Sequence, residues 1–316
     1  MTDPQPDPRQ AAHDWPAIAA ALLTVVLWAS AFVGIRAVAE DLSPGSLALG
    51  RLLTGALALG VVVLVRRPAR PTRRSLPFIV ASGVLWFGLY NIALNTGERH
   101  VDAGTAAMLV NVGPIIIAIL GGAFLGEGFP PRLLVGSAVA FGGAAVIGLA
   151  TSDGGTGADT TLGIVLCLFA AAAYAVGVVL QKPAVRDVPA VTVTWLACVV
   201  AVVVCLPFAP DLVREVGTAP PEALAWLVYL GLFPTALAFT TWAFALSRTS
   251  AGRLGSTTYL VPALAIGMGW VILGEAPPGL AIVGGAIAIV GVVIARSAPR
   301  RTMSVASPAI EAEPTG

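Results

Sequence analysis

The sequence predicts an all-α polytopic membrane protein of ten transmembrane helices arranged as two inverted five-helix repeats. Three observations carry that prediction. Apolar runs long enough to cross a bilayer recur from Pro16 to Arg296, basic residues crowd alternate connections, and a pattern of Pro, Gly and Glu returns 148 residues further on. Of the 316 residues 57% are hydrophobic and 11% are charged, against roughly 25% charged in an ordinary soluble domain. Each run has about twenty residues, enough to span a hydrocarbon core of roughly 30 Å as a helix.

The first span, 16–38, follows a tail, 1–15, that carries Asp3, Asp7 and Asp14 with only Arg9. A cleaved signal begins basic, so this span is expected to remain as an anchor. Spans 44–65 and 76–97 flank the cluster Arg66, Arg67, Arg70, Arg73 and Arg74. Span 103–125 holds Pro114 near its middle and ends in LGE, and span 132–150 carries Gly136 and Gly143 seven residues apart. A Gly-rich linker, 151–161, leads to spans 162–181 and 190–209. Cys167, Cys198 and Cys205 lie in these two apolar runs and read as small core residues. Pro210–Glu222 is the longest loop of the reading, too short for a domain with its own core. Spans 223–247, 251–273 and 278–296 complete the set, and 297–316 is a second tail without apolar periodicity. The domains are therefore a repeat over 16–150 and a repeat over 162–296.

The repeats are visible residue by residue. Gly104, Pro114, Gly121, Leu125, Gly126, Glu127, Pro130, Gly136 and Gly143 each meet the same residue type 148 places on. Earlier in each half the likeness is weaker, with Trp28 facing Tyr174 and Arg36 facing Lys182 at an offset of 146. Five spans is an odd number, so the second copy enters the membrane from the opposite side. Inverted repeats let two halves exchange conformations around one central site, which points to transport. The basic clusters place both termini in the cytoplasm by the positive-inside bias.

No enzymatic constellation is present. The spans hold no Ser/His/Asp or Cys/His set, no HExxH, no phosphate-binding glycine loop and no pair of carboxylates. His13 and His100 are too far apart in sequence to suggest a metal pair. No catalytic residue, metal or cofactor is therefore expected. A charge facing hydrocarbon costs at least about 2.5–3.5 kcal/mol, which singles out Arg51 inside the second span. It reads first as a tether to Glu40, Asp41, Glu98 or Glu275, and second as a solute-binding group. Arg36, near a span end, can snorkel to the interface.

Polar and aromatic residues inside the spans outline a candidate cavity: Trp28 and Ser30, Asn91 and Asn95, Asn111, Tyr174, Trp242, and Thr258 with Tyr259. Each alone fits interhelical hydrogen bonding or packing; their restriction to spans 1, 3, 4, 6, 8 and 9 supports a shared pore. Pro114 and Pro262 each remove a backbone hydrogen bond and kink their helix, either as a static bend or as a hinge. The middle of every span lacks Asp, Glu and His, which favours facilitated diffusion or exchange over proton coupling.

At this point the chain resembles the drug/metabolite transporter superfamily, specifically its EamA-type members. The resemblance covers about 16–296. Its carriers are LWASAFVGIR at 27–36, Arg51 after SPGSLALG, the proline-to-glutamate spacing of Pro114 to Glu127 and Pro262 to Glu275, and Gly136 and Gly284. Tyr174 departs from it, standing where the first copy has Trp28. The resemblance implies a basket of helices 1, 3, 4, 6, 8 and 9 around a central cavity, with 5 and 10 peripheral. It also implies a bacterial plasma-membrane exporter of small metabolites. The expected cargo is a neutral or zwitterionic amino acid or a related amphipathic solute. Efflux of lipophilic drugs or cations is the alternative within transport, and a membrane scaffold or sensor the alternative outside it. The expected partners are the solute and membrane lipids, without nucleic acid; a homodimer is the assembly left open.

Overall fold

The computed structural model describes residues 14–38, 40–101, 103–151, 158–273 and 278–297, and every regular element among them is helical. Most of both tails, residues 152–157 of the predicted linker, and Glu275 lie outside the described residues. In chain order the helices are α1 (Trp15–Ala37), α2 (Pro44–Arg66), α3 (Leu76–Gly97), α4 (Ala103–Val110), α5 (Gly113–Phe124) and α6 (Pro131–Thr151). They continue with α7 (Ala158–Asp187), α8 (Ala190–Thr218), α9 (Pro221–Arg248), α10 (Ala251–Ser256), α11 (Leu260–Leu273) and α12 (Gly279–Arg296). Among the described residues eight helices are long and apolar enough to cross a membrane, and Met108–Phe124 is a shorter apolar one. A helix satisfies its own backbone donors and acceptors, the condition that hydrocarbon imposes on any crossing segment.

Two predicted boundaries are corrected. α7 begins before residue 162 and runs through Pro183 to Asp187. The predicted loop from Pro210 is largely helix: after a single 3-10 turn at Leu206–Phe208 the chain resumes as Ala209–Thr218. The hydropathy ends where the charges begin, but the helix continues because it docks on the start of α2. Leu212 is buried, and the Glu215 carboxylate accepts the Ser43 backbone N–H at 2.8 Å. Gly45 has no alternative there, since a Cβ would lie 2.2 Å from the Phe208 ring.

The predicted fourth and ninth spans are broken at their middles. α4 and α5 are separated by a turn at Asn111 and Val112, and α10 and α11 by a 3-10 turn at Thr257–Tyr259. Pro114 has no N–H to offer the Val110 carbonyl, nor Pro262 the Thr258 carbonyl, and Val110 and Thr258 are themselves 148 residues apart. In the second break the Ser256, Thr257 and Thr258 hydroxyls turn back to the carbonyls of Arg253, Leu254 and Gly255 at 2.8, 2.6 and 2.8 Å. Such bonds compete with the α-helical ladder and favour the tighter turn.

α3 and α9 each contain a widened turn. Gly83–Leu89 and Gly231–Leu237 are π-helical, again at the 148-residue offset. In the first the Tyr90 N–H reaches back five residues to the Leu85 carbonyl. Stretches of this kind change which side chains share a face and concentrate at functional sites.

α6 and α12 form a close pair. A Cβ at Gly136 would lie 2.2 Å from the Ala295 nitrogen, and one at Gly291 would lie 2.3 Å from the Ala140 nitrogen. Gly136 and Gly143 on one helix thus pack against Gly291 and Gly284 on the other.

Candidate functional site

Both proline-broken helices face one cavity. Trp28, Phe32 and Ile35 from α1, Arg51 from α2, and Trp86, Tyr90, Asn91, Leu94 and Asn95 from α3 line it, with Tyr174 from α7 and Phe239 from α9. Asn111 and Pro114 at the first break and Thr258 and Pro262 at the second complete the wall. The empty space between these side chains, counted out through the mouth into open solvent, is about 870 Å³. It extends from the two breaks toward the end of the bundle where α2 begins and α3 finishes.

The floor is aromatic. Trp28 lies 5.0 Å from Trp242, 5.5 Å from Phe239 and 6.0 Å from Trp86, while Trp86 lies 4.9 Å from Phe239 and 5.5 Å from Tyr174, centroid to centroid. Edge-to-face and tilted pairs of this kind lock the rings and leave faces and edges for an apolar solute. Trp86 and Asn91, five residues apart along the π stretch of α3, both line the cavity.

Arg51 supplies the charge. It is 6% exposed, and its Nε donates to Thr235 Oγ1 at 3.0 Å. Thr235 lies in the π stretch of α9, its own hydroxyl donating to the Leu230 carbonyl at 2.8 Å. Among the described residues Arg51 makes no ion pair with Glu40, Asp41 or Glu98, although Glu98 lies near enough to feel its charge. The reason is placement: Arg51 turns inward to the cavity, whereas Glu40 is exposed. Glu98, a turn beyond the cavity-lining Leu94, keeps Oε1 buried without a partner among the described residues. Burial pushes its carboxyl up to about 7, with the Arg51 guanidinium pulling the other way.

The opposite end of the bundle is clamped. After α5, Gly126 takes φ +68 and turns the chain back, so that the Glu127 carboxylate accepts the Ala251 and Gly252 N–H groups at 2.6 and 3.1 Å. This is the LGE motif at work: the glycine supplies a left-handed residue and the glutamate an anion at the first turn of α10. From α7, Lys182 Nζ donates to the Leu246 and Thr249 carbonyls. Both charges grip the connection between α9 and α10.

Of the predicted cavity residues, Trp28, Asn91, Asn95, Asn111, Tyr174 and Thr258 line the space, as do Pro114, Pro262 and Arg51. Three do not. Ser30 turns away to Tyr229, with the two hydroxyl oxygens 2.7 Å apart. Trp242 is fully buried behind the floor, and Tyr259 packs against Ala140, Ala144 and Val292 on the far side of its break. Trp86, Tyr90 and Phe239 were not anticipated. The i, i+4 pair Trp86 and Tyr90 beside Asn91 and Asn95 is the signal that would have found the first two.

Comparison with known proteins agrees with this architecture. The pattern of the EamA-like transporter family matches twice, at residues 15–149 and 161–297. A protein of Streptantibioticus cattleyicolor named as a probable terminal-alkyne amino-acid exporter is 39% identical over 91% of this chain and 94% of its own length. An uncharacterized transporter of Bacillus subtilis is 34% identical over 85% of this chain and 87% of its own. A probable amino-acid metabolite efflux pump of Escherichia coli is 25% identical over 87% and 92%. A solved crystal structure shares the fold at a TM-score of 0.73 with 20% identity, covering 88% of this chain and 96% of that one. With a family match in each half and apolar helices throughout, this chain is a multi-pass membrane protein that belongs to the EamA-like transporter family.

Proposed function

We propose that the chain exports a small solute, an amino acid or a related amphipathic molecule, by alternating access around the cavity beneath the two broken helices. One observation carries this reading: a proline break from each family copy faces the same space, with a charged wall at one place and an aromatic floor at another. Discontinuous helices commonly border transporter sites. The names of the relatives from S. cattleyicolor and E. coli support an amino-acid-like cargo. On this reading α4 with α5, and α10 with α11, each cross the membrane once. That gives ten crossings in two inverted repeats, 16–150 and 162–296, with both termini in the cytoplasm. Pro114 and Pro262 act as hinges.

The test is a metabolite-wide comparison of culture media from cells overexpressing and cells lacking the chain. Accumulation of one amino-acid-like solute only with overexpression is expected, falling when both prolines are replaced by Ala. Identical media would refute the proposal.

Glu98 decides the energy source. We hold to exchange down the solute's own gradient, since no carboxylate lines the cavity among the described residues. In liposomes with equal solute on both sides, a pH step is expected to drive no net accumulation. Because burial raises the Glu98 carboxyl to about 7, uphill accumulation that disappears in Glu98→Gln would make this carboxyl a coupled proton carrier instead.

A further inference from the structure

We infer that Arg51 selects the solute by its carboxylate, and that the aromatic floor takes a flat or unsaturated apolar tail, so that the cavity favours acids with such tails over amines lacking the acid. This rests on the reading of the cavity as the solute site and names the chemistry it takes.

The first argument is the state of the guanidinium. Its Nε edge is used by Thr235, while no carboxylate pairs with it or lines the cavity among the described residues. A buried cation with one neutral hydrogen-bond partner, and the Glu98 carboxylate within charge range but not in contact, is incompletely compensated. A carboxylate matches the planar donor fork in geometry as well as charge. Thr235 fixes the direction of that fork, because its own proton is committed to the Leu230 carbonyl.

The second argument is a neighbouring acceptor. Asn95 Nδ2 donates to the carbonyl of Pro44, the first residue of α2, at 3.2 Å, and its Oδ1 is buried without a partner among the described residues. Arg51 lies seven residues further along that helix. The polar wall thus offers a cationic donor and an amide acceptor, complementary to the two ends of a zwitterion. The order of importance follows from charge. The acceptor is neutral, whereas Arg51 is a full positive charge that repels an amine arriving without a counter-ion.

The third argument is the floor. Trp28, Trp86, Tyr174 and Phe239 present ring faces and edges to the space beyond Arg51. Rings and multiple bonds exploit those quadrupoles better than branched aliphatic chains do.

The test uses four probes of one shape: hydrocinnamate, L-phenylalanine, L-phenylalaninamide and phenethylamine. Each is titrated against the full chain in nanodiscs, with quenching of the cavity tryptophans as the readout. Hydrocinnamate and L-phenylalanine are expected to bind about ten- to a hundredfold more tightly than the amide and the amine, the worth of bonds to a charged group. Arg51→Gln is expected to erase that preference without weakening phenethylamine, while Arg51→Lys keeps part of it. Thr235→Val, which frees the guanidinium to turn, is expected to reduce the preference and decides the matter if Arg51→Gln does not fold. Equal or tighter binding of the amine or amide, or a preference that survives Arg51→Gln, overturns the inference. Absence of binding by all four overturns it too. In either case, solute release into the medium separately decides whether the chain is an exporter.

Discussion

Gly143→Val is expected to destabilise the bundle by about 1–3 kcal/mol, the range for overpacking a filled interface. A Cβ at Gly143 would lie 2.4 Å from the Ala288 nitrogen and 2.6 Å from the Gly284 carbonyl oxygen. Both are backbone atoms on α12, so no rotamer change can relieve the clash and the two helices must separate. In lipid that loss is hard to offset, because helix association there rests on close packing rather than on expulsion of water. Gly142→Val is the control: it adds the same side chain one residue earlier, where a Cβ meets nothing within 4 Å. Thermal unfolding of the two purified variants is the measurement. Equal melting would show that α6 and α12 tolerate separation and that the glycine face is incidental.

The second large effect is expected at the clamped end. Glu127→Ala removes a charged acceptor from two backbone donors, and hydrogen bonds to charged groups are worth about 1.5–3 kcal/mol. If the clamp holds that end shut, opening becomes about ten- to a hundredfold more frequent. A cysteine placed at Ser256, which is fully buried in α10, should then react with a hydrophilic thiol reagent faster by that factor. Lys182→Met should act in the same direction, since it frees the Leu246 and Thr249 carbonyls. Unchanged labelling in both variants would reduce Glu127 and Lys182 to ordinary helix-end packing.

The helical fold was largely legible because hydrocarbon allows few solutions: a long apolar run must bond its own backbone, and composition alone reveals such runs. Helix ends were less legible. The end of α8 was missed because Asp211, Arg214 and Glu215 look like loop residues until Ser43 is seen to donate to Glu215. The candidate site was half legible for a similar reason. Asn91, Asn95 and Asn111 stand out as polar residues in apolar surroundings, whereas Trp86 and Phe239 resemble ordinary core until the fold aims them at a cavity. Ser30 and Tyr259 were chosen by residue type, yet each sits on a face turned elsewhere. The widened turn in α3 had no clear sequence signal, whereas the one in α9 contains Pro234, whose missing N–H already breaks the α ladder. Whether a carbonyl bonds four or five residues on is decided by neighbouring helices, and it altered which side chains joined Asn91.

Those two widened turns also carry a record of history. A π turn holds about one residue more than the α turn it replaces, the difference that a single-codon insertion makes. The trace stands at the same place in both copies, at Gly83–Leu89 and Gly231–Leu237. One insertion before the gene doubled accounts for both turns more simply than two matching insertions after it.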